Sequence, residues 1–105
     1  MRRLTRLNAE KKYLLEYSDL QEAINRLARF ENLCEELVEE SKSLPAELER
    51  LKGEGKEKTV SYRELMAKKL LNKSVLNALK KHGIDVFLNE APPEKLVEEV
   101  EKSGA

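Results

Sequence analysis

Apolar residues recur at helical spacing through most of this chain. Steps of three and four residues place side chains on one face of an α-helix, so such a series predicts an amphipathic helix with one buried face. The clearest series is Leu20, Ile24, Leu27, Phe30, Cys34 and Leu37. A sparser series upstream extends the prediction to one long helix over residues 8–43.

The start of this helix has two interpretations. Ser18-Asp19-Leu20-Gln21 has the pattern of a capping box, which would start a new helix at residue 18. The same residues also fit an exposed turn within one long helix. No glycine or proline interrupts the stretch, and this favours the continuous helix.

Pro45 predicts the end of the long helix. A proline disfavours helical backbone at the preceding residue, so we expect the helix to end or kink at residue 44. Proline also suits the first turn of a following helix, and a short helix is therefore predicted over 45–52. The glycines at 53 and 55 then predict a loop over 53–58.

A second long helix is predicted over 61–82, because Ser61 and Glu64 have capping-box spacing and Gly83 is a C-terminal cap signal. The tail, 85–105, differs in kind. Its apolar run Val86-Phe87-Leu88 predicts an extended segment. The prolines at 92 and 93 lead into a short predicted helix over 93–102 with its apolar residues on one side, namely Leu96, Val97 and Val100.

The helix over 61–82 has apolar residues in two phases. One cluster comprises Tyr62, Leu65, Met66, Ala67 and Leu70, and a second, on nearly the opposite side, comprises Val75, Leu76, Ala78 and Leu79. Either the helix breaks at Asn72-Lys73-Ser74, giving a helix-turn-helix geometry, or it is unbroken and uses one face in the core and the other against a partner chain.

The charge is zero overall but strongly divided along the sequence. Residues 1–30 carry a net charge of +3, residues 31–55 of −5, residues 56–83 of +6 and residues 84–105 of −4. An acidic and a basic helix that pack together would explain the alternation. A nucleic-acid surface on the basic block would explain it as well, with candidate contacts Arg63, Lys68, Lys69, Lys73, Asn77, Lys80 and Lys81.

Candidate catalytic chemistry is sparse. His82 precedes a helix-ending glycine, where a helix cap explains it, and Cys34 lies on the apolar stripe, as a buried structural thiol would. Glu36 and Glu40 share a helix face but have no second ligating segment. We therefore expect no enzyme activity, no catalytic residue, no cofactor and no metal. Without a long apolar run or a signal peptide, no membrane contact and a cytoplasmic location are expected.

Together these patterns predict one all-α domain over residues 1–105. The expected architecture is an antiparallel helical hairpin or bundle of long helices, with a short C-terminal extended segment and a terminal helix. The core of such a fold is thin, so we expect a homodimer that acts as a protein-interaction adaptor. Its predicted interface residues are Tyr13, Tyr17, Phe30, Leu33, Leu37, Val75 and Leu79. The alternative function is a small DNA-associated regulator that binds through the basic segment 56–83.

Overall fold

The structure is a computed structural model that describes residues 1–87, and most of these residues are helical. Two short strands, β1 (Thr5–Leu7) and β2 (Tyr13–Leu15), come first and are followed by a 3₁₀-helix over Tyr17–Asp19. Helix α1 (Leu20–Gly53) and helix α2 (Val60–Lys81) complete the order. The helix predicted over 93–102 lies outside the described residues.

The first correction to the all-α prediction is the antiparallel hairpin of β1 and β2, where a helix was predicted from residue 8. Asn8 explains the difference, because its side chain makes a turn. The backbone N–H groups of Glu10 and Lys12 both donate to Asn8 Oδ1 at 2.9 Å. Asn favours turns through such bonds to its own backbone, and Lys11 completes the turn with a left-handed φ of 62°.

Helix α1 begins at Leu20, so the interpretation of a new helix near Ser18 was closer than the continuous helix we favoured. Asp19 caps the helix by position but makes no side-chain capping bond. Its carboxylate binds Arg2 instead, with Nη2 donating to Oδ1 at 2.9 Å. Arg26 Nη1 also donates to the carbonyl of Arg2 at 2.6 Å. These contacts fasten the start of the chain to the first turns of α1.

The helix was expected to end or kink at residue 44, and the first alternative was wrong, because α1 continues through Pro45 to Gly53. A proline inside a helix removes one backbone hydrogen bond and costs about 3 kcal/mol. Leu44 and Leu48 flank it and are both buried. Burial of these two leucines offsets that cost, and the short helix predicted over 45–52 is the last part of α1.

Both helices end on a left-handed glycine. At the end of α1, Gly55 has a φ of 72° and the N–H of Lys56 donates to the carbonyl of Leu51 at 2.9 Å. At the end of α2, Gly83 has a φ of 79° and the N–H of Ile84 donates to the carbonyl of Leu79 at 3.0 Å. These are Schellman caps, and the cap predicted at Gly83 is confirmed.

Helix α2 starts slightly earlier than predicted and runs without a break. Its cap is Thr59, whose hydroxyl accepts a hydrogen bond from the N–H of Tyr62 at 3.3 Å. The helix passes through 72–74 intact, so it contains no helix-turn-helix. After it, residues 86 and 87 form a turn where an extended segment was predicted, because the N–H of Phe87 donates to Asp85 Oδ1 at 3.0 Å.

Helix α2 packs against α1, and the core lies between them. Four buried leucines of α1 form it, namely Leu37, Leu44, Leu48 and Leu51. Three of these are seven residues apart, as in a coiled coil. A seven-residue repeat drifts by about 20° per seven residues around a straight helix, which accounts for part of the offset between the two apolar phases of α2. Members of both clusters are half-buried, namely Tyr62, Leu65, Met66, Val75, Leu76 and Leu79.

Candidate interaction surfaces

The first candidate surface lies at the N-terminal end of the chain. Every residue of the two strands is exposed, although the hairpin is rich in apolar side chains. Three apolar residues in the first turns of α1 are exposed as well. We call the whole set the N-terminal apolar surface: Leu7, Tyr13, Leu14, Leu15, Tyr17, Leu20, Ile24 and Leu27.

The geometry of α1 separates this surface from the core. On a helix that turns by 100° per residue, Leu20, Ile24 and Leu27 fall within about 60° of one another. The core leucines of α1, such as Leu44, are centred about 110° further around the helix. The exposed stripe is therefore turned away from the side that packs against α2.

Three of the seven predicted interface residues are exposed, and the other four are buried or half-buried. Tyr13 and Tyr17 belong to the N-terminal apolar surface, and the ring of Tyr17 is the more open, with the residue 88% exposed. Leu33 is partly exposed on α1. The others serve the contact between the helices or lie half-buried, namely Phe30, Leu37, Val75 and Leu79. Leu37 is only 3% exposed and is unavailable to a partner in this fold.

The second candidate surface is the basic side of α2. By helical geometry Lys69, Lys73 and Lys80 fall within about 40° of one another, with the predicted Arg63, Asn77 and Lys81 on the adjoining side. Lys68 lies on a different side, where its ammonium forms an ion pair with Glu40 of α1. The basic residues predicted to bind nucleic acid are therefore not one patch.

Glu40 is the polar centre of the contact between the helices. Besides its ion pair with Lys68, its Oε1 accepts a hydrogen bond from Asn72 Nδ2 at 3.2 Å. The bond from Lys68 lowers the pKa of the Glu40 carboxyl, and the bond from Asn72 adds to this effect. Asn72 is seven residues from both Leu65 and Leu79, and a polar residue at such a position fixes the register of paired helices.

A groove between the helices is the third candidate surface, and it was not predicted from the sequence. It encloses about 150 Å³. Its apolar lining includes Leu37, Leu44, Pro45 and Leu76, while Glu40, Ser41, Lys69, Asn72 and Lys73 supply polar groups. The seven-residue spacings of the leucines and of Asn72 were the available sequence signal, since they mark the contact line that the groove follows.

Cys34 and the acidic side chains are the groups that redox or metal chemistry would use. Cys34 is half-buried, and this burial raises the pKa of its thiol, which disfavours the reactive thiolate. Within residues 1–87 no group of three or more His, Cys, Asp or Glu side chains is arranged to hold a metal ion. In the same residues neither helix is long and apolar enough to cross a membrane.

The fold and its surfaces define a class, that of a small, mostly helical protein with a β-hairpin at one end and apolar side chains open there. No known protein family, curated protein or solved structure matches this chain. Its own geometry therefore carries the functional argument.

Proposed function

We propose that this chain is a small cytoplasmic interaction protein that acts without catalysis or cofactor, by forming a homodimer and docking a protein partner. The observation that carries this proposal is the N-terminal apolar surface. Single exposed apolar residues are ordinary, whereas a concentration of them marks an interaction site. Among residues 1–19 only Leu4 is a buried hydrophobic side chain, so the hairpin has almost no core of its own.

The stability of the hairpin leads to the same proposal. A lone two-stranded hairpin is at best marginally stable in water. Here each strand has only three residues, and both strands are exposed throughout. Docking of this end of the molecule against a second copy would bury its side chains and supply the missing support.

The arrangement of the helices leaves this end open. Glu40 lies 13 residues before the end of α1 at Gly53, and its partners Lys68 and Asn72 lie 8 and 12 residues after the start of α2. This matched spacing across a short loop is that of an antiparallel helical hairpin. In that arrangement the end of α2 reaches only to about residue 29 of α1, and the first turns of α1 extend beyond it.

The test is the mass of the protein in solution at tens of micromolar, measured by light scattering after size exclusion. We expect twice the 12.1 kDa of one chain. The double variant Ile24→Glu/Leu27→Glu should run as a monomer with unchanged helix content. The matched control Leu70→Glu/Leu71→Glu alters two exposed leucines of α2 and should remain a dimer. A wild-type monomer at this concentration would contradict the homodimer.

The side shared by Lys69, Lys73 and Lys80 favours a second candidate function, that of a small DNA-associated regulator. Phosphate contacts make DNA affinity fall steeply with salt. Fluorescence anisotropy of a labelled random duplex at about 50 mM and about 200 mM salt tests it. This candidate predicts micromolar binding at low salt that is lost in Lys73→Glu/Lys80→Glu/Lys81→Glu. The interaction protein predicts no binding at either salt and an unchanged dimer mass for that variant.

A further inference from the structure

We infer that the C-terminal segment of this chain, residues 88–105, docks into the groove between α1 and α2 and places its acidic side chains against Lys69 and Lys73. The groove is open in the part of the chain that the structure describes, and its lining is mostly apolar. This inference is independent of the homodimer, which uses the N-terminal apolar surface.

The charges of the segment and of the groove are complementary. Residues 88–105 carry five acidic and two basic side chains. Lys69 and Lys73 line the groove, and neither forms an ion pair within residues 1–87. Glu40 also lines the groove, but its carboxylate is held by Lys68 and Asn72. The lysines on the rim therefore attract an acidic segment.

The sequence pattern of the segment also fits the groove. Leu96, Val97 and Val100 share one side of the helix predicted over 93–102. Glu94, Glu98 and Glu101 follow one another by four and three residues, so they form an acidic stripe beside that apolar side. A helix of this kind matches a groove with an apolar floor and a lysine rim.

The segment is also long enough to reach the groove from the point where the described chain ends. From Lys69 to the end of α2 at Lys81 is about 18 Å along the helix. Residues 88–92 can span up to about 17 Å when extended, and a helix over 93–102 adds about 15 Å. The segment is therefore long enough to turn back from the end of α2 along all of the groove.

The test uses the full chain with a nitroxide at the tail. In a Cys34→Ser background, Ser103→Cys supplies the only thiol for labelling. We expect the amide signals of residues 37–45 and 69–76 to lose most of their intensity, while those of Leu7 and Tyr13 keep theirs. Adding Leu96→Glu/Val100→Glu should restore the groove signals. Uniform broadening or none in the groove would overturn the inference.

A mixture separates this chain's own tail from that of a second copy. Isotope-labelled protein without nitroxide is mixed with nitroxide-bearing protein at natural isotope abundance. Docking within one chain predicts no broadening in the mixture, and full broadening there would overturn it.

Charge reversal tests the role of the lysines. Lys69→Glu/Lys73→Glu should abolish the broadening in the groove, and Glu98→Lys/Glu101→Lys added to it should bring the broadening back. The control Lys11→Glu/Lys12→Glu changes two lysines of the hairpin and should leave the signals as in the parent protein. Broadening that persists in the first variant would show that the lysines do not hold the segment.

Discussion

The two halves of α1 carry similar apolar side chains, but one set is buried and the other is exposed to solvent. From Leu37 to Leu51 the leucines are buried against α2, whereas Leu20, Ile24 and Leu27 remain exposed. Both series have helical spacing, so spacing alone does not distinguish a core from a binding surface. What differs is the partner supplied by the same chain, since α2 covers one half only. We call the part of α1 from Leu37 to Leu51 the covered half and the part from Leu20 to Leu27 the open half. The covered half should therefore contribute most of the folding stability, and the open half should form the contacts with a second copy.

The largest expected difference between the two halves is in the free energy of unfolding when one leucine of each is truncated to alanine. Leu48→Ala removes a buried side chain and should lower the free energy of unfolding by about 2–5 kcal/mol. Leu27→Ala removes one that is 57% exposed and should change it by less than about 0.5 kcal/mol when the protein is dilute and monomeric. Urea unfolding followed by circular dichroism measures both. Equal losses would mean that the two halves share one core.

An intermediate effect is expected at the glycines that end the helices. Gly83 has a φ of 79°, and a side chain there would meet no atom within 4 Å, so any cost is conformational. Because a side chain is disfavoured at a left-handed φ, Gly83→Ala should lower the free energy of unfolding by about 1–2 kcal/mol. Gly83 follows the end of α2, at the boundary between the covered and the open part of α1.

The matched control is Gly53, the last residue of α1. It also has open space around it but no left-handed φ. Gly53→Ala should therefore stabilise the protein by roughly 0.5–1 kcal/mol. The same unfolding measurement applies, and a loss of stability at Gly53 would show that neither change reports the backbone conformation alone.

Local signals in the sequence correctly predicted the second helix and its C-terminal cap at Gly83. They did not predict the β-hairpin at the start of the chain. Gly83 needed only its own backbone preference to be predicted. The hairpin depends on Asn8 and on a left-handed Lys11, a conformation that lysine rarely adopts. The helix through Pro45 is the converse case, because burial of Leu44 and Leu48 overrides the local preference of proline. A local turn at Asn8 decided the first error, whereas packing against a distant helix decided the second, and apolar spacing reveals neither.

The residues of the candidate surfaces were also predicted only in part, because their exposure depends on how the helices pack. The sequence grouped Lys68 with the other lysines of α2, whereas the packing of the helices gives Lys68 to Glu40. Tyr13 and Tyr17 were predicted as interface residues and are exposed, but Leu37 was predicted with them and is buried. Whether an apolar side chain faces a partner or the core depends on which neighbour lies beside it.

The smallest expected effect is the loss of stability at low pH that comes from one ion pair in each half. Arg2 donates to Asp19 in the open half and lowers the pKa of that carboxyl, as Lys68 does for Glu40 in the covered half. A carboxyl with a lowered pKa in the folded protein stabilises the fold fully above its ordinary pKa, and this contribution is lost as the pH falls through the folded value. Both contributions should therefore be complete at neutral pH and disappear below about pH 4.

The variants Asp19→Asn and Glu40→Gln separate the two pairs. Each should remove part of the fall in stability between neutral and acidic pH, and each effect should be small because the basic partners, Arg2 and Lys68, are at least half exposed to water. Glu40→Gln should act on the unfolding of the helices, whereas Asp19→Asn should act on hydrogen exchange in the hairpin. Urea unfolding at several pH values and amide exchange of residues 4–15 measure the two effects. If Asp19→Asn altered helix unfolding as much as Glu40→Gln does, the hairpin would be part of the same cooperative unit as the covered core.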